Sequence, residues 1–205
     1  MRFRFLGISI PLALTLLVGC SSYLPTEYYL IRVDPVPAPE ADPFPLRIDV
    51  GDVRAPVRYQ NQMVFRRGPY QVGFYENSRW AALPSEMVRR ALIDALTQSG
   101  LFAGVELIGQ NPRSDLYLLA EIECFDQVID GEEIGADFSL LIEAVRTDTG
   151  SSLWSYRAAA EVPQKGKGQL AGAMSEAVGE ALGKAIEELA ASDTLRSLPG
   201  KPSPE

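Results

Sequence analysis

The stretch Ile134-Gly135-Ala136-Asp137-Phe138-Ser139-Leu140-Leu141-Ile142-Glu143-Ala144 has an apolar residue or alanine at every even-numbered position. Side chains of a β-strand alternate between the two faces of a sheet, so this pattern predicts a strand with one buried face, running from Ile134 to Arg146. Two similar segments flank it, Asp115–Val128 before it and Leu153–Val162 after it. Turn-forming residues separate the three segments, which predicts an antiparallel meander.

Two amphipathic helices are predicted outside this meander, at Trp80–Gln98 and Gln169–Ala191. In each segment the apolar residues recur at spacings of three and four, which marks a single buried stripe. The second segment also contains Gly172, Gly179 and Gly183. Each glycine lowers helix propensity by roughly 1 kcal/mol relative to alanine, and close packing of this helix on the sheet would explain them.

The remaining strands are shorter. Glu27–Val33, Leu46–Val53 and Gly104–Ile108 have strand-like patterns, and Gln62–Arg66 with Tyr70–Tyr75 form a predicted hairpin around Arg67-Gly68-Pro69. The order of elements predicts an α+β fold: a mainly antiparallel sheet with two amphipathic helices packed on one face.

Residues 34–45 contain five prolines. Proline lacks a backbone N–H and fixes φ, so this spacing excludes a helix or a central strand. An extended polyproline-type segment and a simple loop both remain open.

The amino terminus combines Arg2 and Arg4, an apolar run from Leu6 to Val18, and a small residue before Cys20. This organisation is that of a secretory signal peptide. The tetrapeptide Leu17-Val18-Gly19-Cys20 resembles the bacterial lipobox, which implies that Cys20 is lipidated and becomes the first residue after cleavage.

Four regions follow from these observations: a signal peptide at 1–19, a lipidated tether at 20–26, one α+β domain at 27–191 and a disordered tail at 192–205. Ser21 stands where an aspartate commonly retains lipoproteins in the inner membrane. We therefore expect an anchor in the outer membrane, with the domain facing the periplasm.

The composition excludes several functions. Residues 20–205 carry 17 Lys and Arg against 27 Asp and Glu, a formal net charge of −10, which disfavours nucleic acid as a partner. Histidine is absent, so neither the commonest general base nor the commonest transition-metal ligand is available. We expect no enzymatic activity, no metal and no cofactor.

Three groups of residues are candidates for a site. Glu121 and Glu123 lie two apart on a predicted strand and could serve a hydrolase, although a solvated sheet face explains them as well. Cys124 is expected to be a buried, inert thiol. Four arginines surround the predicted hairpin and form either a partner-contact patch or scattered surface charge: Arg54, Arg58, Arg66 and Arg67.

The order of several short motifs resembles that of the ABC-type transport auxiliary lipoproteins, the PqiC-like group. These motifs are Tyr28-Tyr29-Leu30, then 47–53 followed by Pro56 and Tyr59, then Met63-Val64-Phe65-Arg66, then Ser78-Arg79-Trp80 before a helix with Leu92, Leu96 and Phe102. One departure is Gln60, which stands where a leucine usually follows the tyrosine.

The resemblance implies a non-catalytic, lipid-anchored subunit that works with an MCE-domain protein and an ABC transporter, and that can form a homo-oligomer. Such systems move phospholipid or other hydrophobic cargo across the envelope. Tyr59, Arg66 and Arg67 are the candidate partner-contact residues, and Trp80 is expected in the core. The alternative is a lipoprotein that stabilises another outer-membrane complex, such as secretion or lipopolysaccharide machinery.

Overall fold

A computed structural model describes residues 24–109, 114–165 and 169–200, so Cys20 and the signal peptide lie outside the described residues. The described elements comprise eight strands and three helices: β1 Glu27–Tyr29, β2 Phe44–Arg54, β3 Gln62–Arg67, β4 Gln71–Trp80, α1 Pro84–Ser99, β5 Phe102–Leu107, β6 Leu116–Asp130, β7 Glu133–Arg146, β8 Ser152–Pro163, α2 Leu170–Ala190 and α3 Asp193–Arg196.

The predicted meander and hairpin are confirmed. Strand β7 pairs antiparallel with β6 and β8, and β3 pairs antiparallel with β4. The alternate residues of β7 are buried on one face, where Phe138 lies opposite Phe125 of β6 and Ala160 of β8. This face forms the centre of the hydrophobic core.

The longest pairings are antiparallel, as predicted, but the sheet is mixed because it also contains parallel pairings that were not predicted. Strand β2 pairs parallel with both β5 and β6, β3 pairs parallel with β6, and β1 pairs parallel with β4. One edge of β6 is therefore shared: β2 pairs with it as far as Glu121, and β3 takes over from Gln127. The sheet forks at residues 122–126 of β6.

Helix α1 packs on β2 and β5, and it contacts α2, which packs on β7 and β8. The prediction that α1 begins at Trp80 is wrong, because Trp80 ends β4 and is only 2% exposed in the core. The helix begins at Pro84, where the missing N–H of proline leaves no hydrogen bond unmade. It ends at Gly100, whose φ of 66° is the left-handed conformation that glycine adopts most easily.

The glycines of α2 do not pack on the sheet as predicted. A Cβ atom at Gly179 would lie 3.3 Å from Cγ1 of Val33, and one at Gly183 would lie 3.8 Å from Cγ1 of Val36. Both valines belong to the proline-rich segment 30–43, which contains neither helix nor strand; we call this segment the strap. Small residues on α2 therefore make room for the strap.

The strap is held between the two long helices. The backbone N–H of Arg32 donates to Oγ of Ser175 at 2.9 Å, and Val36 is 8% exposed. One groove beside the strap is lined by α1 residues and another by α2 residues. No helix among the described residues is long and apolar enough to cross a membrane.

The expectation of a disordered tail from residue 192 is wrong for its first residues. Ser192 caps the short helix α3, because its side chain accepts a hydrogen bond from the N–H of Leu195. Leu195 is fully buried, and α3 contacts β8. Residues 201–205 of that predicted tail lie outside the described residues.

Candidate partner-contact site

The loop 55–61 fills the fork of the sheet. It connects β2 to β3, the two strands that share one edge of β6, and its Tyr59 is only 3% exposed. The backbone N–H of Tyr59 donates to the carbonyl of Pro56 at 2.9 Å, which closes a tight turn. This turn directs the ring of Tyr59 towards Phe125, with ring centroids 6.3 Å apart.

The hydroxyl of Tyr59 makes two hydrogen bonds at the fork. It donates to Oδ1 of Asp126 at 2.9 Å, and it accepts from Nη2 of Arg58 at 2.9 Å. Phe125 lies within the part of β6 that pairs with neither β2 nor β3. Asp126 belongs to the same unpaired part of β6, so the hydroxyl of Tyr59 ties the loop to that part of the strand. Burial and the charge of Asp126 raise the pKa of Tyr59, so its proton stays available to Asp126.

Arg66 connects two carboxylates that face each other across the sheet. Asp126 and Asp137 are paired in register on β6 and β7, an arrangement that would repel if neither charge were compensated. Nη2 of Arg66 lies 2.7 Å from Oδ2 of Asp137, and Nε lies 3.6 Å from Oδ2 of Asp126. The side chain of Arg66 is 31% exposed, whereas that of Asp126 is 5% exposed. We refer to Tyr59, Arg66, Cys124, Asp126 and Asp137 as the Arg66 cluster.

Cys124 completes this cluster as a thiol. Its Sγ donates to Oδ2 of Asp126 at 3.5 Å, and the residue is half-buried. Burial, with the negative charges of Asp126 and Asp137, raises the pKa of Cys124 from 9.0 to about 12. The thiolate required of a nucleophile is therefore disfavoured at neutral pH, as the expectation of an inert thiol requires.

Arg67 lies on the opposite face of β3 from Arg66. Its guanidinium carbon is 5.0 Å from the ring centroid of Phe65, and that ring meets Tyr75 edge-on at 5.2 Å. The Phe65 ring lies over Gly73, its register partner on β4, where an added Cβ would overlap the ring. The structure therefore brings Tyr59 and Arg66 together and separates Arg67 from them.

The hairpin exposes apolar side chains that sequence reasoning missed. Val72 and Phe74 are 47% and 45% exposed, and in register they lie opposite Arg66 and Val64 on one face of the hairpin. Tyr70 at the tip is 94% exposed. We refer to Arg66, Tyr70, Val72 and Phe74 as the hairpin surface. The alternation of Val72 and Phe74 was visible in the sequence, but it reads equally well as a buried strand face.

The two glutamates considered for a hydrolase are both paired with arginines. Oε2 of Glu121 lies 3.1 Å from Nη2 of Arg54, and Glu123 accepts two hydrogen bonds from Arg157, at 2.6 and 2.7 Å. A bulge in β6 between Ile122 and Cys124 lies at Glu123. Across the three described ranges, no group of three or more acidic or cysteine side chains could hold a metal ion.

Two solved structures share the fold of this protein. The fold matches that of the protein XCC0632 from Xanthomonas campestris, of the DUF330 family, with a TM-score of 0.70 and 18% identity over 80% of this chain and 95% of that one. It also matches a PelC dodecamer from Paraburkholderia phytofirmans, with a TM-score of 0.50 and 13% identity over 79% of this chain and 98% of that one. No curated protein matches the sequence significantly.

The family follows from the sequence itself. The model of the ABC-type transport auxiliary lipoprotein component matches residues 28–187, and this protein belongs to that family. The match begins at β1 and ends within α2, so it spans both the fork with Tyr59 and the hairpin surface. It confirms the resemblance drawn from the motifs, and it makes the protein an auxiliary lipoprotein of an ABC-type transport system.

Proposed function

We propose that this protein is a non-catalytic, lipid-anchored subunit that works with an MCE-domain protein and an ABC transporter to move phospholipid or other hydrophobic cargo across the envelope. The family match over residues 28–187 carries this proposal. The paired state of Glu121 and Glu123 and the raised pKa of the Cys124 thiol support a role without catalysis.

The anchor in this proposal is Cys20. Lipidation at that residue would leave residues 21–26 as a tether to the domain, and Ser21 favours sorting to the outer membrane with the domain in the periplasm. A Cys20→Ser variant should lose its lipid and leave the membrane fraction. Mass spectrometry of the amino-terminal peptide of the native protein should find acyl groups on Cys20.

The hairpin surface is the proposed contact with the MCE-domain partner. Among the described residues, the outer edge of β4 from Gln71 to Asn77 has no strand partner. Val72 and Phe74 belong to this part of β4, and their apolar side chains are exposed. An exposed apolar patch bordered by a charged residue such as Arg66 is typical of a protein-binding surface. Tyr59, being buried, supports this surface from within and does not touch the partner.

Self-association is a further part of the proposal. The solved PelC structure is a dodecamer. Light scattering of the lipidated protein in detergent would measure its subunit number directly, and a mass equal to one protein chain would contradict self-association.

The test of the transport role is a crosslinked pull-down of the lipidated protein from membranes. We expect an MCE-domain protein among the recovered partners. A Phe74→Ser variant should recover less of it, whereas Ile108→Ser should not, since Ile108 has a similar exposure of 42% on another strand connection. Recovery of a secretion or lipopolysaccharide complex without any MCE-domain protein would support the alternative function.

A further inference from the structure

Near the first described residues, a row of side chains that are mostly apolar faces outward. From residue 28 to 33, odd-numbered residues pack against the core, while even-numbered ones are exposed. The exposed row is Tyr28, Leu30 and Arg32, and Tyr28 and Leu30 are 68% and 61% exposed. Leu24, nearer the amino terminus, is 64% exposed.

Such a row is unusual for a surface that meets only water. Where alternate residues of an extended segment are buried, the outward ones are ordinarily polar, as on a strand with one buried face. A tyrosine, two leucines and an arginine are instead the residues that suit a membrane–water interface, where an aromatic ring with a polar tip and a long basic side chain are both favourable. Arg79 lies in register beside Tyr28 on β4 and adds a second basic residue there.

The length of chain between the anchor and this row limits what can cover it. Cys20 precedes Leu24 by four residues and Tyr28 by eight. A fully extended chain spans about 3.5 Å per residue, so Leu24 stays within about 14 Å of the anchored residue and Tyr28 within about 28 Å. A protein anchored at Cys20 therefore keeps Leu24 close to the bilayer, and the tether leaves the rest of the row able to reach it.

We propose that Leu24, Tyr28, Leu30 and Arg32 form a membrane-seating row that rests on the lipid headgroups and fixes the orientation of the domain. This inference rests on the proposed lipid anchor at Cys20. The lipid surface is the occupant because the row is tethered beside it. Tyr28 lies opposite Arg79 near the end of β4, and the hairpin tip begins nine residues earlier at Tyr70, roughly 30 Å away at about 3.3 Å per strand residue. The row and the hairpin tip therefore lie near opposite ends of β4.

The experiment places one tryptophan on β1, beside the last residues of β4, and another in the turn just before β4 begins. Tyr28→Trp and Tyr70→Trp are the matched variants, because both tyrosines are exposed. The native Trp80 and Trp154 contribute the same background emission to both. Each full-length lipidated variant is reconstituted into phosphatidylcholine vesicles whose acyl chains are either plain or brominated, since bromine quenches tryptophan at short range.

We expect brominated vesicles to quench the emission of Tyr28→Trp beyond that of the wild type, and to leave Tyr70→Trp at the wild-type level. Equal quenching of the two variants, or none in either, would overturn the seating of this row while leaving the anchor intact. Flotation of the same samples tests the lipid anchor separately from the seating of the row. Protein that does not float with the vesicles would overturn the lipid anchor, and with it the row.

Discussion

The hydroxyl of Tyr59 donates a 2.9 Å hydrogen bond to the carboxylate of Asp126, and this bond joins the loop 55–61 to strand β6. Both residues are buried, and the bond lies where β2 leaves β6 and β3 has yet to reach it. A forked sheet exposes the backbone of the shared strand, and the tyrosine closes that opening.

Replacing Tyr59 by phenylalanine should destabilise the fold. Tyr59→Phe retains the ring but leaves Oδ1 of Asp126 without the hydrogen bond from the hydroxyl. A buried group left without its hydrogen bond costs about 1–3 kcal/mol in the free energy of unfolding. Urea denaturation would measure this loss, and Tyr70→Phe is the control because Tyr70 is 94% exposed. Equal stabilities for the two variants would show that the hydroxyl of Tyr59 has no structural role.

Removing Arg66 should leave two facing carboxylates uncompensated. We expect Arg66→Met to lower the free energy of unfolding by about 1–3 kcal/mol, less than for a fully buried pair because solvent screens the partly exposed arginine. Adding Asp137→Asn to that variant should recover part of the loss, because one of the two charges is removed. Arg90→Met removes an exposed ion pair with Asp94 of 3.1 Å and should change stability by less than about 0.5 kcal/mol. If the double variant Arg66→Met/Asp137→Asn is less stable than Arg66→Met alone, repulsion between the two carboxylates does not cause the destabilisation by Arg66→Met.

The thiol of Cys124 should give the protein a pH dependence in the alkaline range. Its pKa is 9.0 as an ordinary thiol and about 12 in the fold, so between these values the unfolded chain releases a proton that the folded chain retains. Stability therefore falls as pH rises through this range, because the unfolded state binds fewer protons. The fall should be smaller in Cys124→Ala. In addition, maleimide should label Cys124 slowly at pH 8 in the folded protein and quickly in urea; rapid labelling of the folded protein would contradict the raised pKa.

The glycines of α2 should respond differently to the same substitution. Gly172 has no atom within 4 Å of an added Cβ, so Gly172→Leu should stabilise the helix by up to about 1 kcal/mol. Gly179→Leu should instead push against Val33 of the strap and cost about 1–3 kcal/mol. Thermal unfolding measures both changes, and proteolysis should cut the strap faster in Gly179→Leu only. Similar losses in the two variants would mean that contact with the strap does not set Gly179 apart from Gly172.

The meander was predictable because its signals are local. Alternation in Ile134–Ala144 defines the buried face of β7, and the residues that follow Asp130 and Thr147 form the turns that join it to its neighbours. Both strand partners of β7 lie next to it along the chain. Local turn chemistry therefore suffices to set the pairing.

The parallel pairings could not be predicted in the same way. Ile48 of β2 lies opposite Leu116 of β6 and Val105 of β5, residues far away in the sequence with no turn that joins them directly. Parallel strands need a long crossover connection, so their partners are chosen by tertiary packing. The fork that Tyr59 fills follows from these pairings, and the sequence therefore indicated Tyr59 as a contact residue when it is an interior one.

The glycines of α2 show a similar ambiguity. Small residues at Gly179 and Gly183 indicate that something approaches the helix closely, and this much was visible in the sequence. The sequence does not distinguish a sheet from a proline-rich segment as the approaching element. Only the structure identifies Val33 and Val36 of the strap as the neighbours.

Site-specific photocrosslinking in cells tests the central claim most directly. A photoreactive phenylalanine analogue is introduced at Val72, which is exposed beside Arg66 on the hairpin surface, and in a separate strain at Ile108 as the control. The account predicts a covalent adduct between position 72 and an MCE-domain protein, with none from position 108. Adducts from position 72 that contain only proteins of another outer-membrane complex would contradict it.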